Sequence, residues 1–199
     1  CALPISSLWG GDLEAFIFQG SARGLFRKKD VLFSVADTSV YRLGKKAPFG
    51  SILGARGPYG IFAAGVDTPL NNWFRKVYID RYSVPPVGGS YQAAQGVLAA
   101  KYAYDAAAKA NGGKFPNKDQ VIAALEGATY QGIAAPVHMN RSNGHQAATK
   151  HMIGVLQWDK EAGEPIMTKV TEFGPDCVMP PPGVNGTEWL KGGMKGAKC

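Results

Sequence analysis

The first sixty residues alternate short apolar runs with helix-patterned stretches, and this alternation constrains the fold more than any other feature of the chain. Such a pattern predicts βα units. Ser6 to Trp9 reads as the end of a strand, and Gly10-Gly11-Asp12 turns into a helix carrying Leu13, Phe16 and Ile17 at helical spacing. Asp12 is placed to cap that helix or to favour its positive end, and Gly24 stops it. Val31 to Val35 then reads as a buried strand, Thr38 to Leu43 as a short helix and Ser51 to Ala55 as another strand. The Gly57 to Gly60 stretch breaks the pattern.

The middle of the chain reads as helical. Pro69 suits a first turn, and Leu70, Trp73, Phe74, Val77 and Tyr78 form an apolar stripe expected to face the core. An Ala-rich helix is expected from about Tyr91 to Ala110, ended by Asn111-Gly112-Gly113, and Asn117 with Gln120 reads as a capping box. Ile153 to Trp158 and Ile166 to Phe173 read as an antiparallel pair around Gly163. From Gly174 the Pro and Gly content rises, so the last residues are expected to be extended or poorly ordered. There is no internal repeat.

Composition excludes several classes. With 45% hydrophobic and 19% charged residues, 199 residues suffice for a real core. No run reaches the roughly 20 apolar residues of a membrane helix, and no signal-peptide pattern is visible. The net charge of +7 comes from scattered Lys and Arg. With no arginine stripe, zinc spacing or aromatic RNA-binding pattern, no nucleic-acid partner is expected. His138, His145 and His151 match no metal-ligand spacing, and no GxSxG, GxGxxG or P-loop is present, so no metal, cofactor or catalytic residue is assigned. Of three cysteines, Cys1 and Cys199 lie at the ends and read as additions. Cys177 reads as a lone structural thiol, with pairing outside the chain as the alternative.

Several stretches together resemble type I periplasmic binding proteins of the branched-chain amino-acid and amide class. They are Ser7 to Phe16, Ala22 to Leu25, Ser90 to Gln95, Val121 to Gly127, and Asn143 to Ala147 with Ile153 to Val155. The resemblance covers most of Ser6 to Phe173, and it lies in the order and spacing of the pieces rather than in any one. It implies an α/β fold of two Rossmann-like lobes joined by a three-stranded hinge, with only the C-terminal part in this chain. Residues 1–64 would belong to the second lobe, 65–150 would return to the first, 151–175 would cross back, and 176–199 would form the tail.

The function implied is that of a non-enzymatic solute-binding component of a periplasmic ABC importer. It would close its hinge on a branched-chain amino acid, amide or urea-like ligand and deliver it to a membrane permease. A ligand-sensing domain of a cytosolic or membrane regulator is the alternative, because the same fold serves both. By position the resemblance points to Trp9 and Gly10 at a strand end, to Asp37 as the acidic partner of a ligand ammonium, and to Tyr91 as an aromatic lining residue. An alternative alignment puts Ala36 in place of Asp37, which suits an uncharged ligand. Both readings stay open for each aromatic, ligand contact or packing, and for Asp37, ligand partner or turn residue.

Overall fold

In the computed structural model the described residues are 5–139 and 147–199. Cys1, His145 and the Asn143 to Gln146 stretch therefore lie outside them. In chain order come β1 (Ile5–Ser6), α1 (Gly10–Ala22), β2 (Leu32–Phe33), α2 (Val40–Leu43), β3 (Ile52–Ala55) and α3 (Pro69–Tyr82). Next are α4 (Gly88–Ala110), α5 (Lys118–Leu125), β4 (Thr129–Gln131), β5 (Pro136–Met139) and β6 (Ala147–Ala148). The chain ends with β7 (His151–Asp159), β8 (Glu164–Phe173), α6 (Pro175–Val178) and α7 (Gly186–Lys191). These elements fall into two compact units: residues up to Tyr91 with His151–Glu172, and Gln92–Lys150 with Phe173–Cys199. Compactness thus keeps residues 65–91 with the first unit.

The first unit is built on a five-stranded sheet in the order β1-β2-β3-β7-β8. β1, β2 and β3 run parallel, as the βα alternation requires, and β7 joins β3 antiparallel. The predicted strand Val31 to Val35 shrinks to two residues, because the backbone turns at once into a 3-10 helix at Ala36–Thr38. Leu13 and Ile17 of α1 pack with Phe33, Val40, Leu43, Leu53, Met152 and Leu156 in one apolar core. Each such side chain is worth about 2 kcal/mol of burial. The Phe16, Phe26 and Phe33 rings meet edge-on at 5.7 and 6.1 Å along its side. The β7–β8 turn is held by Asp159, whose Oδ1 accepts from the Glu161 and Ala162 amides, and Gly163 takes its left-handed position.

Helix α3 corrects the expected core stripe. Thr68 caps it by accepting the Asn71 amide, with Pro69 behind it. Trp73, on the predicted core stripe, is 59% exposed, whereas Asn71 is wholly buried. Asn71 Nδ2 donates to the Ala63 and Val66 carbonyls at 2.9 and 2.7 Å, and its Oδ1 accepts from the Tyr91 hydroxyl at 2.8 Å. A polar residue is the buried anchor here because every one of its side-chain groups finds a partner.

The second unit holds most of α4, with Ala103 and Ala107 buried and Tyr102 stacked on Tyr130 at 5.6 Å. Asn117 and Gln120 form the expected capping box on α5. The antiparallel sheet β4-β5-β6 has Val137 at its centre, and the Thr149 hydroxyl donates to the Pro136 carbonyl. The expectation of an extended tail is overturned. Asn185 caps α7, Trp189 is buried with Nε1 donating to the Lys195 carbonyl, and Cys177 is bonded to Cys199. Cys177 is accordingly no lone thiol, and Cys199 is its partner. A bond closing a loop of this length removes chain entropy worth roughly 3 kcal/mol from the unfolded state, which compensates for the poor helix content of a Pro- and Gly-rich segment.

Candidate functional site

Parallel strands leave their C-terminal ends on one edge, and β1, β2 and β3 deliver there Trp9 with Gly10, the Ala36–Ser39 turn and Arg56 respectively. Register continues the edge into β7. Ala55 pairs with Met152, so one step further Arg56 stands opposite His151. From β1 to β3 the edge spans about 10 Å, the scale of a small organic molecule.

Hydrogen bonds fix the edge. The Ser34 amide and hydroxyl both donate to the Ser6 carbonyl. Thr38 Oγ1 accepts the Gly10 amide at 3.3 Å and donates to the Val35 carbonyl, while the Ser39 hydroxyl donates to the Gly10 carbonyl at 3.2 Å. Gly10 takes a positive φ of 57° with open space around its missing Cβ. The turn after β2 thereby pins the residue after Trp9, whose own side chain is 69% exposed. Asp12 lies in the first turn of α1, where its charge suits the helix dipole, but Trp9 occupies the N-cap position.

Asp37 is only 6% exposed. Its carboxylate accepts the Gly88 amide at the start of α4, with Gly60 and Gly88 both pressed against it. A Cβ on Gly88 would lie 2.1 Å from Asp37 Oδ2. Burial raises the Asp37 carboxyl from its ordinary 3.8 to about 6, against the opposing pull of the Gly88 amide and the Arg56 charge. Burial, and next the Arg56 charge, lower His151 from its ordinary value. Arg56 is exposed, and none of the ion pairs among the described residues includes it.

A raised carboxyl favours the folded state in its protonated form. The Asp37 contribution is therefore fully present below pH 3.8 and lost as pH rises through about 6, a change of about 3 kcal/mol. His151 works the other way, stabilising above its ordinary 6.5 and losing that as pH falls. Asp37→Asn keeps an acceptor for the Gly88 amide and removes the titration. Urea unfolding at pH 4.5 and 7.5 should show the variant gaining on the native chain by about 2 kcal/mol as pH rises. An equal pH response in both would place the Asp37 carboxyl in water.

Trp9, Gly10, Ala36 and Asp37 of the predicted site residues thus sit on this edge, with Ala36 buried beneath it. Tyr91 is also in the first unit, wholly buried. It stacks on Tyr59, meets Phe74 edge-on at 4.9 Å and is hydrogen-bonded to Arg75, and its hydroxyl is pushed up to about 12, chiefly by burial. Sequence reasoning missed Arg56 and His151. Arg56 directly follows a predicted strand, and the rule that ligands gather at the carboxyl ends of parallel strands could have found it. The His151 position follows only from the β3–β7 register. Elsewhere, a basic concavity of about 530 Å³ holds Arg27, Lys28, Lys29 and Lys46 in the first unit. It adjoins the C-terminal carbonyls of α1, which balance those cations. In the second unit, Pro180 to Pro182 and His138 line one of about 290 Å³.

Comparison with known proteins agrees with this fold. The periplasmic binding protein family matches residues 5–164, and the chain belongs to that family. No curated protein sequence matches the chain. Among solved structures, it is similar to a solute-binding protein of an ABC transporter from Rhodopseudomonas palustris BisB5, in complex with 3,4-dihydroxybenzoic acid. The identity is 19% and the TM-score 0.68, over 86% of this chain and 44% of that one. It is also similar to a leucine-, isoleucine-, valine-, threonine- and alanine-binding protein from Brucella ovis, at 20% identity and TM-score 0.62, over 89% of this chain and 44% of that one. A third is an R. palustris solute-binding protein in complex with 4-hydroxybenzoate, at 16% identity and TM-score 0.65, over 86% and 45%. The fold is that of type I periplasmic binding proteins, and the chain spans about 44% of the length of the structures it matches.

Proposed function

We propose that this chain is part of the solute-binding component of an ABC importer and holds a small polar solute against the C-terminal edge of β1, β2 and β3 without chemical change. The observation that carries this is the exposed pair Trp9 and Arg56 at the two ends of an edge otherwise closed by buried, hydrogen-bonded groups. Such an edge offers an apolar face and a cation to a ligand. The ligand class runs from amino acids and amides, as the sequence led us to expect, to small aromatic acids of the kind bound by two of the similar structures. Trp9 and Gly10 bound the site. Asp37 and Ala36 form its floor, and Tyr91 acts behind it as a positioning residue.

In the whole protein, closure of two lobes would complete the enclosure, and a membrane permease would receive the solute. Residues up to 64 and 151–175 are read as second-lobe, with the tail from 176. The return to the first lobe is read from 65 onward, and compactness favours a start at Gln92. A periplasmic location is part of the proposal. It is supported by the family and by the Cys177–Cys199 bond, which an oxidising compartment preserves and which disfavours a cytosolic sensor. No helix among the described residues is long and apolar enough to cross a membrane.

With only this part of the site, binding should be weak, with dissociation constants of about 1 mM or above. Saturation-transfer NMR with leucine, acetamide, urea and 4-hydroxybenzoate should detect at least one solute, and Trp9→Ala should abolish that signal. Micromolar binding by calorimetry would contradict the divided site. A signal that survives Trp9→Ala undiminished would place the site elsewhere.

A further inference from the structure

The edge is asymmetric in charge, and that asymmetry narrows the ligand class, on the footing of the solute-binding reading above. The carboxylate on it, Asp37, is buried and already accepts the Gly88 amide. Gly60 and Gly88 leave no room beside it, since a Cβ on either would lie 3.1 or 2.1 Å from Asp37 Oδ2. A ligand ammonium would have to displace that amide and bring a second charge close to Arg56. Arg56 itself is exposed on the last strand end, with no carboxylate at ion-pair distance among the described residues. His151 stands opposite it in register, half-buried, and burial with the Arg56 charge favours its neutral imidazole, so it neither pairs with the guanidinium nor adds a second cation beside it. The strand ends of β2 and β3 thus present one cation open to a planar anion and no open carboxylate, while Asp12, exposed in the first turn of α1, is held in place by the helix dipole on the Trp9 side. At the other end, two strand spacings along the edge, the exposed Trp9 ring offers a flat apolar surface.

We infer that this edge takes a small monoanionic carboxylic acid, its carboxylate on the Arg56 guanidinium and its apolar body toward Trp9, in preference to zwitterionic amino acids or neutral amides. Arg56 is a specificity-determining residue in this arrangement, and Thr38 and Ser39 position Trp9 through Gly10.

The test uses the 199-residue chain with ¹⁵N-labelled indoles and three probes of similar size: benzoate, benzamide and leucine. Benzoate should shift the Trp9 indole resonance saturably, identified by its loss in Trp9→Phe, while Trp73, Trp158 and Trp189 stay unmoved and report an intact fold. Benzamide and leucine should bind at least about tenfold more weakly, the usual worth of one charge-assisted hydrogen bond. Arg56→Gln should weaken benzoate by the same factor and leave benzamide unchanged, with Arg56→Lys between the two. Benzamide or leucine equalling benzoate, or Arg56→Gln binding benzoate normally, overturns the inference while the solute-binding reading stands. No response of Trp9 to any of the three overturns both.

Discussion

Asn71→Asp is expected to cost about 5 kcal/mol and to leave the chain largely unfolded at room temperature, since a domain of this size has only about 5–15 kcal/mol in total. The exchange is nearly isosteric, so the effect is one of hydrogen-bond polarity. In the native chain the Asn71 amide group gives two hydrogens to the Ala63 and Val66 carbonyls. An aspartate has none to give. Both carbonyls would face a carboxylate oxygen, and each lost bond leaves a buried acceptor unmet at about 1–3 kcal/mol. The new charge would be wholly buried, and the Tyr91 hydroxyl that already donates to the other oxygen offers it only a neutral partner. Uncompensated buried charge adds several kcal/mol more, part of which the chain escapes by taking up a proton. Asn72→Asp is the control. That side chain is exposed and, among the described residues, bonded to Asp67, so the same exchange one residue on should cost under about 1 kcal/mol. Urea unfolding of the two variants measures both. Similar losses in the two would mean that the Asn71 network contributes nothing.

Gly88→Ala is the second large effect, expected at about 4 kcal/mol. Alanine is ordinarily the better residue in a helix, by about 1 kcal/mol, so propensity predicts the opposite sign. Here the added carbon would sit 2.1 Å from Asp37 Oδ2, inside any permitted approach. The carboxylate is short and enclosed by Gly60 on another side, so it cannot swing clear without abandoning the Gly88 amide. Loss of that charge-assisted bond costs about 1.5–3 kcal/mol, and the residual overlap or backbone shift adds a comparable amount. Gly89→Ala, where nothing lies within 4 Å, should be neutral or slightly stabilising. In the double variant Asp37→Ala with Gly88→Ala, the clash is gone and most of the additional cost should vanish. Thermal or urea unfolding of the set gives the coupling directly, and additive losses would break the proposed link between the two residues.

The buried Asp37 explains why function was harder to read than fold. From the sequence it was an acid near a strand end, with a ligand role and a turn role both open. Its environment is made by Gly60, 23 residues later, Gly88, 51 residues later, and Arg56. No local pattern announces that three separated segments will converge on one carboxylate. Arg56 and His151 meet for the same kind of reason, through a β3–β7 register spanning almost a hundred residues.

What the sequence determined by itself was local and periodic. The βα alternation, the helix ended at Asn111-Gly112-Gly113, the Asn117–Gln120 capping box and the β7–β8 hairpin all follow from nearest-neighbour sterics and hydrogen bonding, so they could be read in place. The order of known stretches carried the family as well. Tertiary structure decided which face of α3 is buried, because Asn71 can be anchored only where the Ala63 and Val66 carbonyls and the Tyr91 hydroxyl are brought to it. It decided that the Pro- and Gly-rich tail folds, because a bond between Cys177 and Cys199 supplies what helix propensity does not. It also decided which charges on the strand edge are buried and bonded internally and which stay exposed. Burial and pairing depend on all neighbours at once, and a chain read along its length shows only two of them at a time.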